Sequence, residues 1–121
     1  MITAAFAIDG SGAIRWARIS GHAGYAPAGE DIVCAAVSSA VQLTANALTE
    51  ILHTGAAVDV SENSVRLQPA TGDEGPQQFL RALRLHLELL AEDIKSIPNL
   101  QMLMFNDKYI PGYPEEEDIE T

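Results

Sequence analysis

At the start of the chain Ile2, Ala4, Phe6 and Ile8 fall at every second position, the spacing of a strand with one buried face. Asp9-Gly10-Ser11-Gly12 interrupts this pattern with residues that tolerate positive φ, so the chain reverses into a second strand over residues 13–20, with Ile14 and Trp16 directed inward. Residues 21–29 contain Gly21, Gly24, Pro27 and Gly29 with little periodicity and read as a connecting loop. The period then changes. Val33, Val37, Ala40, Val41, Leu48, Ile51 and Leu52 recur at helical spacing, which predicts a helix opened by an Asp31 cap, running to about residue 53 and closed by Gly55. Ala35, Ala36, Ser38, Ser39 and Ala40 keep part of this helix thin enough for a neighbour to approach closely. A second hairpin follows, with Val58 and Val60 on one strand, residues 61–64 turning, and Val65 and Leu67 on the other. Pro76 is expected at the first position of a second helix whose buried stripe is Leu80, Leu83, Leu87, Leu90 and Ile94. Pro98 stops it, and residues 100–105 read as a last strand. The order strand-strand-helix-strand-strand-helix-strand predicts a two-layer α+β domain, with both helices on one face of a mainly antiparallel sheet.

Composition narrows this picture. A chain of 121 residues, 47% hydrophobic and 20% charged, has the make-up of one globular domain and room for one core. The formal net charge of -10 repels phosphate backbones and anionic membrane surfaces, which argues against nucleic-acid and membrane partners. Glu115, Glu116, Glu117, Asp118 and Glu120 concentrate acid at the end, so residues 1–106 are expected to form the domain and residues 107–121 a solvated acidic tail. The apolar N-terminus is brief and lacks the basic start of a secretory signal, and no run approaches 18 consecutive apolar residues. Cys34 is the only cysteine, which rules out an intrachain disulfide and a zinc site built on several thiolates and fits a reducing, cytosolic setting.

The candidate chemistry centres on that cysteine. With Asp31 as cap, Cys34 lies in the first helical turn, where free backbone N–H groups and the helix dipole stabilise a thiolate, the reactive form. The alternative is an ordinary small core residue, a common role for free cysteine. His22 precedes Cys34 by twelve residues, across a glycine-rich loop able to fold back and bring an imidazole to the sulfur. There it would take the thiol proton and return it to a leaving amine; otherwise it is a loop histidine, solvated or bonded to a carbonyl. Asp31 either caps the helix or orients His22, and Ser38, one turn beyond Cys34, either supports the site or packs. His53 and His86 stand isolated without ligand spacing, and Met1, Met102 and Met104 read as an initiator and strand packing. With no second thiol and no phosphate-cradling glycine motif after a strand, neither a metal nor another cofactor is expected.

The run Gly21-His22-Ala23-Gly24-Tyr25-Ala26, with Gly29, then Asp31-Ile32-Val33-Cys34-Ala35-Ala36-Val37-Ser38 and Thr44-Ala45-Asn46, resembles the ribosomal-processing cysteine protease Prp family. The resemblance extends over residues 1–106 in order and length; Ala40, Ala47 and the acidic tail depart from it. It implies a homodimeric, cytosolic endopeptidase that removes a short N-terminal extension from a large-subunit ribosomal protein. It further implies His22 and Cys34 as the catalytic pair, Gly21, Asp31 and Ser38 as supporting positions, and Ala23, Gly24, Tyr25 and Ala26 as a flexible substrate loop over the site. In this reading Cys34 attacks the scissile carbonyl, His22 handles the proton, and amides at the helix start, that of Cys34 included, hold the oxyanion. The competing expectation is a non-catalytic dimeric module that binds a ribosomal or assembly partner and uses Cys34 only for packing.

Overall fold

The computed structural model describes residues 2–21, 28–95 and 103–110. Strands β1 (Ile2–Ile8) and β2 (Ile14–Ser20) precede helix α1 (Ala28–Asn46), which continues into a π-helical turn (Ala47–Ile51). Strands β3 (Ala57–Val60) and β4 (Ser64–Gln68), helix α2 (Glu74–Lys95), and the short strands β5 (Leu103–Phe105) and β6 (Lys108–Tyr109) complete the order. The sheet runs β3-β4-β2-β1-β5, with β6 also on β1; β5 and β6 are parallel to β1 and the other pairings antiparallel. The expected two-layer α+β architecture is therefore present. Ile2, Ala4 and Phe6 of β1, Ala17 and Ile19 of β2 and Leu67 of β4 form one core with Val33, Val37 and Val41 of α1 and Leu80, Leu83 and Leu87 of α2, so both helices cover the same sheet face.

The β1–β2 pair departs from the expected phase. Ala7 pairs with Trp16, but Ile8 pairs with Ile14, which leaves Arg15 as an extra residue in a bulge. One inserted residue switches the face, so Ile14 is buried with the core while Trp16 shares the opposite face with Ala7. The bulge is held from a distance: the buried Gln77 side chain of α2 accepts from Ile14 N–H at 2.7 Å and donates to Ile14 C=O at 2.8 Å, completing the strand's bonding as a neighbouring backbone would. At the turn, the buried Asp9 carboxylate accepts from the Ser11 hydroxyl at 2.6 Å and from the N–H groups of Ser11 and Ala13 at 2.9 and 3.1 Å. Burial pushes its pKa up, but these bonds and the Arg15 charge together hold it below the ordinary value of 3.8.

Helix α1 opens at Ala28, three residues before the expected cap, so Asp31 is the helix's fourth residue and Cys34 its seventh. In the sequence Pro27 stands directly before Ala28, and proline favours a helix start there. The far end differs too. The regular helix stops at Asn46, and in the π turn Leu52 N–H bonds to Ala47 C=O at 2.9 Å, one residue wider than the α spacing. That wider turn rotates Ile51, expected in the buried stripe, out to 72% exposure, while Leu48 stays fully buried. The segment Ile32–Ile51 is long and apolar enough by length and composition to cross a bilayer, yet its Val33, Val37, Val41 and Leu48 line is spent on the sheet.

Helix α2 starts at Glu74, which makes Pro76 its third residue and still one of the first four, whose N–H groups lack a helical partner. Residues 100–102 lie outside the described residues. The chain beyond residue 106, expected as tail, keeps to the sheet as far as Ile110, whose N–H bonds to Ile8 C=O at 3.0 Å. Arg84 of α2 fastens this end: its guanidinium pairs with Asp107 and Glu88 and lies 5.6 Å from the Phe6 ring centroid and 5.4 Å from that of Phe105.

Candidate active site

A groove of about 470 Å³ opens between α1 and the β3–β4 hairpin, at the size of a small-ligand or side-chain pocket. Its floor is apolar, formed by Ile2, Ile19, Val37, Val41 and Val65. One wall is a line of polar positions along α1, Cys34, Ser38, Gln42 and Asn46, each four residues after the last and hence stacked on one helix side. Val58, Val60 and the turn residues 61–64 form the opposite wall, where Glu62 is the only charged lining residue among those described.

Cys34 is a free thiol, half-buried, packed on one side against the core and open on the other to the groove. It therefore packs against the core and remains accessible from the groove. As the seventh residue of α1 it lies beyond the four N–H groups that a helix start leaves free, so its own amide is not available to an oxyanion as expected. Ser38 is exposed in the same wall, one turn on. Gly21 lines the groove with φ of 89° and donates its N–H to Asn63 C=O at 2.9 Å, which ties the end of β2 to the hairpin turn. A left-handed backbone of this kind suits glycine and would strain an L side chain.

His22, Ala23, Gly24, Tyr25 and Ala26 lie outside the described residues, as does the Asp31 side chain. Ala28 and Gly29, expected at the end of the connecting loop, are the first two residues of α1. The described flanks bracket that segment closely, since Gly21 before it and Cys34 after it line one groove. Gln42, Asn63 and Ser64 belong to the site without having been singled out. For Gln42 a signal existed in the i, i+4 line that it forms with Cys34, Ser38 and Asn46. His53 and His86 are exposed, His53 with φ of 50°, and neither lines the groove. Among the described residues no group of three or more His, Cys, Asp or Glu is placed to hold a metal ion.

An accessible thiol on the wall of an open, apolar-floored groove suits nucleophilic attack by sulfur on an extended chain, the chemistry of a thiol hydrolase. The family model described as cysteine protease Prp matches residues 1–97, and the chain belongs to that family of cysteine peptidases. Solved structures share the fold. The SMU.848 protein from Streptococcus mutans is 25% identical with a TM-score of 0.73, the match covering 93% of this chain and 99% of that one. The ribosomal processing protease Prp from S. aureus in complex with a substrate peptide is 18% identical with a TM-score of 0.75, covering 91% and 100%. The same protease with a covalently linked product peptide is 22% identical with a TM-score of 0.67, again covering 91% and 100%. No match is found among curated proteins.

Proposed function

We propose that this cysteine peptidase is an endopeptidase that removes a short N-terminal extension from a large-subunit ribosomal protein, with Cys34 as nucleophile and His22 as its acid–base partner. The observation that carries the reading is the shared groove: the only thiol of the chain and Gly21, the residue bonded to His22, line the same cleft. A peptide lies extended there, with apolar side chains on the valine and isoleucine floor. His22 takes the Cys34 proton, the thiolate adds to the scissile carbonyl carbon, and the imidazolium returns the proton to the amine as the C–N bond breaks. Water then cleaves the resulting thioester, giving its proton to His22 and freeing the thiolate. The hydroxyl of Ser38 and the amides of Gln42 and Asn46 offer donors along the bound peptide. An acidic enzyme attracts a basic ribosomal substrate by long-range charge, and cytosolic residence accords with both the substrate and the unpaired cysteine. Association as a homodimer is supported by the outer side of α1, where Ile32 and Leu43 are 70% and 69% exposed with Ala35 and Ser39 between them.

The test is cleavage of a peptide copying the N-terminus of a ribosomal protein, with mass spectrometry locating the cut. Cys34→Ala is expected to abolish turnover with the fold intact, because alanine is small and strongly helix-forming. His22→Ala is expected to slow turnover and to shift alkylation of Cys34 to higher pH. Retained cleavage by Cys34→Ala refutes the nucleophile. An unchanged alkylation profile in His22→Ala refutes the pair.

A further inference from the structure

The sheet face turned away from both helices carries an unusual share of the chain's positive charge. Strand pairing places Trp16, Arg18, Arg66 and Lys108 on it, around the small residues Ala5 and Ala7, with Asp59 the one acidic residue in the paired register. Three of the seven basic residues thus share one face in a chain of net charge -10. Arg18 and Arg66 are direct cross-strand partners and Asp59 stands opposite Arg66 on its other side, so a single carboxylate faces two guanidinium groups and leaves the pair with net positive charge. Arg66 spreads over the Trp16 ring at 4.9 Å, its Nε buried without a hydrogen-bond partner, and Arg18 is exposed with no ion pair among the described residues.

We propose that this face is the docking surface of the chain's own acidic C-terminus, residues 111–121. The described chain ends beside it: β6 lies on β1, and Ile110 bonds to Ile8 C=O at 3.0 Å. From there Arg18, opposite Ala5, is about 10 Å back along the strands and about 10 Å across them, and Arg66 one strand further, about 14 Å across. Five residues to Glu115 reach at most about 17 Å and eight to Asp118 about 27 Å, so the acids span both arginines once the chain doubles back. Pro111-Gly112 is a turn-forming pair at the point where that reversal is required. Tyr113 and Ile119 supply apolar groups to set against Trp16 and the exposed Met104. The expected solvated tail thereby becomes a charge-neutralising strap on the side opposite the groove. Its docking is independent of the peptidase reading.

Trp16, the only tryptophan of the chain, reports on this face directly. Acrylamide quenching of its fluorescence is measured in the full chain and in a variant with Glu115→Gln, Glu116→Gln, Glu117→Gln and Asp118→Asn. At low salt the quenching constant is expected to be higher in the neutralised variant. The difference is expected to vanish near 1 M salt, where the Debye length is about 3 Å. Arg18→Gln in the full chain is expected to reproduce the rise, and peptide turnover to remain unchanged in both. Equal quenching of the full chain and the neutralised variant at low salt overturns the proposal. So does protection that grows with protein concentration, since the tail then docks on a second copy. Protection of Trp16 by an RNA oligonucleotide added to the full chain, with the tail charges without effect, overturns it in favour of a nucleic-acid surface.

Discussion

Gly12 and Gly21 form a matched pair for asking what the end of β2 does for catalysis. Their φ values are 88° and 89°, and each donates its N–H to a backbone carbonyl at 2.9 Å, Gly12 to Asp9 and Gly21 to Asn63. Alanine at a left-handed position costs about 1–2 kcal/mol. The two substitutions are therefore expected to destabilise the fold alike, and a Cβ on Gly12 meets nothing within 4 Å to add to its cost. For a domain of this size each kcal/mol lowers Tm by about 3–6 °C, so both variants stay folded at 25 °C. Their positions differ. Gly12 sits in the β1–β2 turn, whereas Gly21 lines the groove and its backbone sets the direction in which the chain leaves for His22. If Gly21→Ala relaxes toward negative φ, that direction changes, and a displacement of about 1 Å at a catalytic group costs about 100-fold in rate. Thermal unfolding by circular dichroism and kcat/KM on the ribosomal N-terminal peptide are measured on both variants. The expected result is equal losses of Tm, wild-type kcat/KM in Gly12→Ala and a loss of about two orders of magnitude in Gly21→Ala. Equal activity in the two variants refutes the idea that the backbone at Gly21 aims the histidine.

Leu43→Glu places a charge on the exposed outer side of α1 and is expected to convert the proposed dimer to monomer in analytical ultracentrifugation without lowering Tm; a wild-type sedimentation coefficient rules that interface out. Gln77→Leu keeps side-chain volume but removes both hydrogen bonds that the Gln77 side chain makes to the Ile14 N–H and C=O, and a loss of about 2–4 kcal/mol in urea unfolding is expected. Asp9 has a folded pKa below 3.8, so its contribution to stability is present above about pH 4 and fades as pH falls through the lower, folded value. Asp9→Asn is therefore expected to flatten the acid limb of the stability curve below that pH and to lower stability at pH 7, as followed by thermal unfolding across pH.

The extent to which the fold is legible in the sequence follows the range of the interactions involved. β1, both hairpins and the buried stripe of α2 are set by alternation, turn residues and helical period, all short-range, and each is where those signals place it. The phase of β2 is not local. Ile14 and Trp16 share one face in an unbroken strand, and the bulge that separates them is bonded by Gln77, 63 residues away. No window around Trp16 contains that information. The π turn is similarly hidden, because the apolar spacing that leads to Ile51 assumes one turn width throughout. In the groove wall, Cys34 and Ser38 were reached from the cysteine and its helical neighbour, while Gln42 is reached only by carrying the same i, i+4 spacing one turn further. Only the hairpin packed opposite turns that residue into a groove wall.

The early start of α1 shifts the explanation of how the thiol would be activated. With Asp31 as cap, the helix itself supplies both a field for the thiolate and the amide of Cys34 for the oxyanion. With the start at Ala28, Cys34 is nearly two turns in, and the dipole's effect falls off within the first turn. In the proposed mechanism the proton transfer then rests on His22, and the oxyanion takes its hydrogen bonds from donors other than the Cys34 amide. The polar line that continues from Cys34 through Ser38 and Gln42 to Asn46 lies along the same groove and presents hydroxyl and amide groups there. Ser38, Gln42 and Asn46 of this line are exposed and take no part in the core. The line's position in the groove wall that holds the thiol lets it offer hydrogen bonds to the backbone of the peptide in the proposed mechanism.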